Sequence, residues 1–205
     1  MINWLLDNPI LIAAIQILLM WTDWLLSVAQ AREVKKYYYK HYQSYPINTI
    51  EGNPLLQEDV KKDRIFNLKH FITSIIIGVV VFLYMKYLPK ESQEYFIGFS
   101  YGIFLLVITQ HLSNLLGYRA SRKGVQGKLF IHLRTGYLVQ AGRYFSTTIL
   151  LLILAIISNS QFIYGMSVAS FMSVLRQFSS MKRIPPIKSE DEIFNEKDDN
   201  EMPNA

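Results

Sequence analysis

Asp23 stands inside one long apolar run of the sequence, and His111 and Asn114 stand inside another. An ionisable side chain in such a run marks a candidate functional group, because burying it in lipid is costly. Gln16, Met20, Asp23, Ser27 and Gln30 follow one another at steps of four, three, four and three. That spacing places all five on one helical face, which should turn toward protein or a wet cavity. His111 and Asn114 are three apart and share a face of their own, with Gln110, Ser113 and Gly117 around them. By depth in their runs Asp23 and the His111/Asn114 pair are level, so an Asp–His hydrogen bond between the two helices is expected.

A second carboxylate, Glu51, lies between the first two apolar runs, in Ile50-Glu51-Gly52-Asn53-Pro54-Leu55-Leu56. Asn-Pro forms turns and pushes the residue before proline toward extended backbone. Leu55 and Leu56 are apolar enough to dip into the membrane surface, so the segment is either a re-entrant element aiming Glu51 at the bundle or an exposed turn with a solvated glutamate.

Two chemistries fit these residues. In a membrane-embedded hydrolase, Asp23 or Glu51 would activate water or hold a divalent ion, since hard cations prefer oxygen ligands. His111 would serve as acid/base or ligand, and Asn114 would orient a carbonyl or phosphoryl oxygen. Asn53 would contact substrate, Arg119 and Arg122 would attract an anionic headgroup, and the substrate would be a lipid or membrane peptide. In the other reading the chain is a non-enzymatic subunit, either an assembly factor or a small permeation component. Asp23, His111 and Asn114 then join helices, at about 0.6 to 2 kcal/mol per polar pair. A membrane-protein partner or a second copy would complete that assembly.

The elements that position these residues are read from hydropathy. Charged residues make up 18% of the 205 residues, and they cluster in a few segments, whereas a soluble domain of this length carries about 25%. A helix crossing the bilayer needs about 20 mostly apolar residues. Three runs qualify: Ile10 to Val28, opened by Asn8-Pro9; Phe71 to Leu88, stopped by Pro89; and Tyr95 to Gly117. From Phe145 to Leu175 no residue carries a formal charge, and one helix of that length would be too long to span. Ser158-Asn159-Ser160-Gln161 breaks the run as a turn would. A hairpin follows, Tyr144 to Ile157 (or starting near Leu138, with Arg143 reaching the headgroups) and then Phe162 to Phe178. The expected fold is therefore an all-α, multi-pass transmembrane helical bundle of five spans, with four as the alternative. It covers residues 1–183, followed by a disordered acidic tail over 184–205.

All but two of the 21 Lys and Arg fall in segments 29–70, 118–143 and 176 onward; Lys86 and Lys90 are the exceptions. With five spans those three segments share one side of the membrane, and with four they do not. The positive-inside rule then puts that side in the cytosol, in the cell membrane, with the N-terminus outside. Ala29-Gln30-Ala31 fits a signal-peptide cleavage site, but the first run lacks a basic flank and contains Asp23. It is read as a retained span.

The bilayer is the expected partner, and the net charge of +5 matches basic loops on an anionic leaflet. The Tyr-rich stretch Lys35 to Tyr45 reads as an interfacial element, not a nucleic-acid platform. Without cysteine there is no disulfide, thiolate site or cysteine nucleophile. There is no His-Glu-x-x-His, phosphate loop or Gly-x-Ser-x-Gly. Gly124 and Gly127 are expected to form a turn at the headgroups, and His70 and His132 to be ordinary interfacial residues.

Asp23 on the first span, followed by Glu51-Gly52-Asn53-Pro54-Leu55 before the second, resembles small prokaryotic multi-pass membrane-protein families without an assigned function. His111-x-x-Asn114 and Gly124/Gly127 fit the same pattern, over roughly the first 130 residues. The resemblance implies a membrane protein and this choice of residues. It implies no activity.

Overall fold

The computed structural model describes residues 3–38, 42–45, 57–62, 64–124 and 129–186. A single helical turn α1 (Asn3–Leu6) leads into α2 (Pro9–Glu33), which runs on into a π-helical stretch (Val34–Tyr38). A short strand β1 (Tyr42–Tyr45) and a helical turn α3 (Gln57–Lys61) precede α4 (Leu68–Tyr87). Then come α5 (Lys90–Gly124), strand β2 (Leu129–His132), α6 (Leu133–Ser158) and α7 (Gln161–Lys182). The fold is an all-α bundle with one two-stranded ladder among the described residues.

Local chemistry sets the helix ends. Asn8 caps α2 by accepting from the Leu11 amide at 3.3 Å, with Pro9 in the first turn where its missing N–H costs nothing. Asn67 caps α4 by accepting from His70 N at 3.2 Å. Pro89 forces Leu88 out of the helical region, to φ −96° and ψ 157°, and α4 ends. Between α6 and α7, Asn159 adopts the left-handed conformation at φ 47°, and Ser160 then caps α7. Asparagine tolerates this backbone better than most residues. The break in the long uncharged run thus falls where the Ser-Asn-Ser-Gln cluster places it.

The directions of the helices follow from their contacts. Going along α2 from Ile12 to Glu33, the partners on α5 advance from Tyr101 to Arg119, so the two helices are parallel. Gly98 and Gly102 of α5 meet Phe162 and Met166 of α7, again in parallel. Met20 and Trp24 of α2 meet His70 and Ile65 before and in α4, an antiparallel pairing. Ser167 and Ser170 of α7 reach back to Thr148 and Tyr144 of α6, also antiparallel. The principal packing order is therefore α4–α2–α5–α7–α6, with the three co-directional helices in the middle. The C-terminal ends of α2, α5 and α7 and the N-terminal ends of α4 and α6 gather at one end, the basic end. β1 and β2 pair there in parallel, with Tyr42 opposite Leu129 and Tyr45 opposite His132.

The distribution of polarity is inverted relative to a water-soluble protein. Ser74, Ser170, Gln16 and Gln30 are buried, while Ile76, Leu150, Ile156 and Ile157 are exposed. Exposed apolar side chains line the outer faces of α4 and α6, as they should where lipid is the solvent. Four helices, α2, α4, α5 and α6, are long and apolar enough to cross a membrane. The chain is a multi-pass integral membrane protein. At about 33 Å for 22 residues α7 is long enough too, but it carries more polar residues, and Gly165, Ser167, Ala169 and Ser170 are buried against its neighbours.

Several helices are longer than their apolar runs, and α2 continues past Val28 to Glu33. α5 starts at Lys90 and continues to Gly124, and α6 starts at Leu133 instead of Tyr144. The backbone hydrogen bonds of a helix do not stop at the lipid boundary, and the extra turns hold the Lys and Arg that hydropathy excludes. Gly124 accordingly ends a helix instead of forming a turn.

Candidate functional site

The polar face of α2 packs on α5 along its whole length. Near the end opposite the basic one, Tyr101 Oη donates to the Ile12 carbonyl at 3.0 Å, and Ser100 Oγ donates to Gln16 Oε1 at 2.9 Å. Further along, His111 meets three residues of α2 at once. Its Nε2 lies 3.1 Å from Asp23 Oδ1 and 3.3 Å from Ser27 Oγ, and its Nδ1 accepts from Gln30 Nε2. At the basic end Arg119 Nε approaches Glu33 Oε2 at 4.0 Å. Gln16, Met20, Ser27 and Gln30 are buried and Asp23 is partly buried, so the face drawn by the residue spacing is the packed one.

The ring of His111 has a defined arrangement. If Nδ1 accepts from the Gln30 amide, the proton is assigned to Nε2, where the aligned partner is Ser27 Oγ. The Asp23 contact is short, but Oδ1 is buried without an aligned hydrogen bond. The 3.1 Å approach is therefore a close contact without the alignment of a hydrogen bond. In a serine–histidine–carboxylate relay, serine and carboxylate occupy opposite ring nitrogens. Here Ser27 and Asp23 share one nitrogen, so this arrangement does not activate Ser27.

Other polar groups bind elsewhere. Gln110, next to His111 in sequence, turns to the far side of α5 and accepts from Tyr144 Oη of α6. Ser170 Oγ donates to the Tyr144 carbonyl at 2.9 Å, and Ser167 Oγ to the Thr148 carbonyl at 3.3 Å. His70 is not an ordinary interfacial residue. It is buried at 8% exposure, stacked on Trp24 at 5.2 Å and edge-on to Trp21 at 5.3 Å. Its Nε2 donates to the Met20 carbonyl at 3.2 Å, one turn from Asp23. His132 likewise is buried, and its Nδ1 accepts from the Arg134 amide to cap α6. Burial of the ring, with Arg134 beside it, lowers its pKa below the ordinary 6.5.

The structure thus brings Asp23 and His111 together. Asn114 lies one turn further along α5, and among the described residues no hydrogen bond joins it to either of them. Arg119 is engaged with Glu33, and Arg122 lies in the last turns of α5. Glu51 and Asn53 lie outside the described residues, as do Gly127 and the tail from residue 187. Among the described residues no group of three His, Asp or Glu is arranged to hold a metal ion.

Residue spacing missed two features. One is the contact of α5 with α7, where a Cβ on Gly98 would lie 1.9 Å from the Phe162 carbonyl oxygen and one on Gly165 2.1 Å from that of Tyr95. Gly98-x-x-x-Gly102 and Gly165-x-x-x-Ala169 are the small-residue pairs that let membrane helices approach closely, and they were available as a signal. The other is Glu33, whose buried position depends on the extension of α2 beyond its apolar run.

No protein-family model matches this chain, and neither does any curated protein or solved structure.

Proposed function

We propose that this chain is a non-enzymatic membrane subunit, an assembly or small permeation component, whose α2–α5 polar seam holds the bundle in one register. It sits in the cell membrane with its N-terminus outside and its basic end in the cytosol, and all five long helices cross. One observation carries the reading. The polar side chains of α2 are met in turn by side chains of α5, from Gln16–Ser100 through the three contacts of His111 to Glu33–Arg119. Groups that satisfy one another are structural in the first instance, and in a membrane each such pair is worth about 0.6 to 2 kcal/mol. The orientation rests on the gathering of Lys and Arg at one end. A partner would lie against the exposed apolar faces of α4 or α6.

A second reading, a membrane-embedded hydrolase acting on a lipid or membrane peptide, is favoured by one detail. Asp23 Oδ1 is buried with no aligned donor, on a side chain that is 28% exposed. Such a carboxylate could still take a proton from water at the membrane surface.

Asp23→Asn and His111→Ala separate the two. For a subunit, both variants lower abundance in the membrane and the melting temperature of the purified protein. If instead both fold and accumulate normally while the protein's hydrolysis of phospholipid or membrane peptide in proteoliposomes is abolished, the subunit reading fails and the enzyme stands.

A further inference from the structure

The segment that leads into α4 exposes large apolar side chains beside charged ones. Ile65, Phe66 and Leu68 are 55%, 60% and 61% exposed. Three neighbouring apolar residues facing water would be unfavourable, so they belong at the membrane surface. Phe66 stacks with Trp21 at 6.1 Å and lies 5.9 Å from Phe71, and a tryptophan ring such as Trp21 settles at the headgroup level. The segment is anchored as well, because Trp24 Nε1 donates to the Ile65 carbonyl at 2.8 Å.

Beside these residues is a recess of about 940 Å³ lined by Lys62, Arg64, Phe66, Asn67, Leu68 and Lys69, together with Glu58 and Asp59. Its carboxylates are already engaged. Glu58 pairs with Lys62 at 3.3 Å, and Asp59 pairs with Arg64 at 3.0 Å while accepting from Asn67 at 2.8 Å. Lys69 has no carboxylate partner among the described residues, and the Lys62–Glu58 pair is solvent-exposed and exchanges at little cost. Among the described residues of the lining, the spare charge is therefore positive and adjoins apolar surface.

We propose that this recess binds the headgroup of an anionic glycerophospholipid, with Lys69 and Lys62 on the phosphate and Phe66 and Leu68 against the first carbons of the acyl chains. The inference rests on membrane insertion alone and is independent of whether the chain is a subunit or an enzyme.

The test uses the full chain carrying Trp4→Phe, so that the remaining tryptophans, Trp21 and Trp24, report from the neighbourhood of the recess. It is reconstituted in phosphatidylcholine vesicles with a minor fraction of either dibrominated phosphatidylglycerol or dibrominated phosphatidylcholine, whose bromines quench tryptophan on contact. The anionic lipid should quench more strongly at equal content. Lys69→Gln should cut that preference roughly fivefold, the factor corresponding to ~1 kcal/mol per basic side chain near an anionic surface. Lys69→Arg should retain it. Equal quenching by the two lipids overturns the proposal, as does an undiminished preference in Lys69→Gln. Displacement by soluble glycerophosphate also overturns it, because the site would then recognise free phosphate. Should Lys69→Gln not fold, the unsubstituted recess is titrated with NaCl. The preference must then fall as salt screens it, and its persistence in high salt rejects the site.

Discussion

His111 Nε2 stands 3.1 Å from Asp23 Oδ1 across the α2–α5 seam. The pair is one of three contacts on the same ring, so its energetic weight is read from a double-mutant cycle. Asp23→Asn and His111→Ala, alone and together, should show a coupling of roughly 0.6 to 1.7 kcal/mol in unfolding experiments in detergent, the range for polar pairs between membrane helices. His111→Ala should be the costlier single change, because it leaves Asp23, Ser27 and Gln30 without their shared partner. Strict additivity would mean that the two groups do not interact.

The glycines of α5 and α7 should divide by their surroundings. Gly98→Ala and Gly165→Ala place a methyl against backbone, at 1.9 Å and 2.1 Å, which only a shift of the whole helix can relieve. A loss of ~1 to 3 kcal/mol is expected from such overpacking. Gly136 and Gly142 of α6 have open space where a Cβ would go. Alanine there should leave stability unchanged or raise it by up to ~1 kcal/mol, through helix propensity. Thermal melts of the four variants in one detergent decide between these signs.

His132 should make the start of α6 sensitive to pH. Its folded pKa is lowered from 6.5 by burial and by Arg134. Well above pH 6.5 the ring is neutral in the folded and unfolded chain alike, and its cap on Arg134 N is fully present. As pH falls below 6.5 the unfolded chain takes up the proton first, so stability declines. His132→Asn keeps a capping acceptor without a titrating ring. Its melting temperature should lose this part of the pH dependence, which a melt series from neutral to mildly acidic pH would reveal.

The chain has no cysteine, so single substitutions report cleanly on sidedness. Lys62→Cys, Arg119→Cys and Arg183→Cys should all be modified by an impermeant maleimide from one face of the membrane. Glu91→Cys and Ser158→Cys should be modified from the other. Arg183→Cys reacting with the second group would reduce the crossings to four.

Much of this organisation is legible in residue order. The step pattern from Gln16 to Gln30 locates the buried face of α2, and matched depth pairs Asp23 with His111, because in lipid a polar residue has few places to go. The Ser158–Gln161 cluster marks the break between α6 and α7. Other features depend on contacts that no local pattern contains. Gln110 and His111 are adjacent yet serve opposite sides of α5, because α2 packs on one side and Tyr144 of α6 reaches the other. The pairing of β1 with β2 joins segments far apart in the chain. His70 reads as interfacial because it adjoins Lys69 and Asn67, and only the approach of Trp21 and Trp24 encloses it. The extension of α6 back to Leu133 was hidden because charge marks the edge of lipid, not the end of a helix.

The parallel contact of α5 with α7 also bears on how the protein is made. α5 is synthesised before α7, and until α7 follows, the notch at Gly98 and Gly102 has no helix to fill it. The notch closes once Gln161–Lys182 has been synthesised and has folded back along α6. A nascent chain halted before that point carries an uncovered glycine groove on α5.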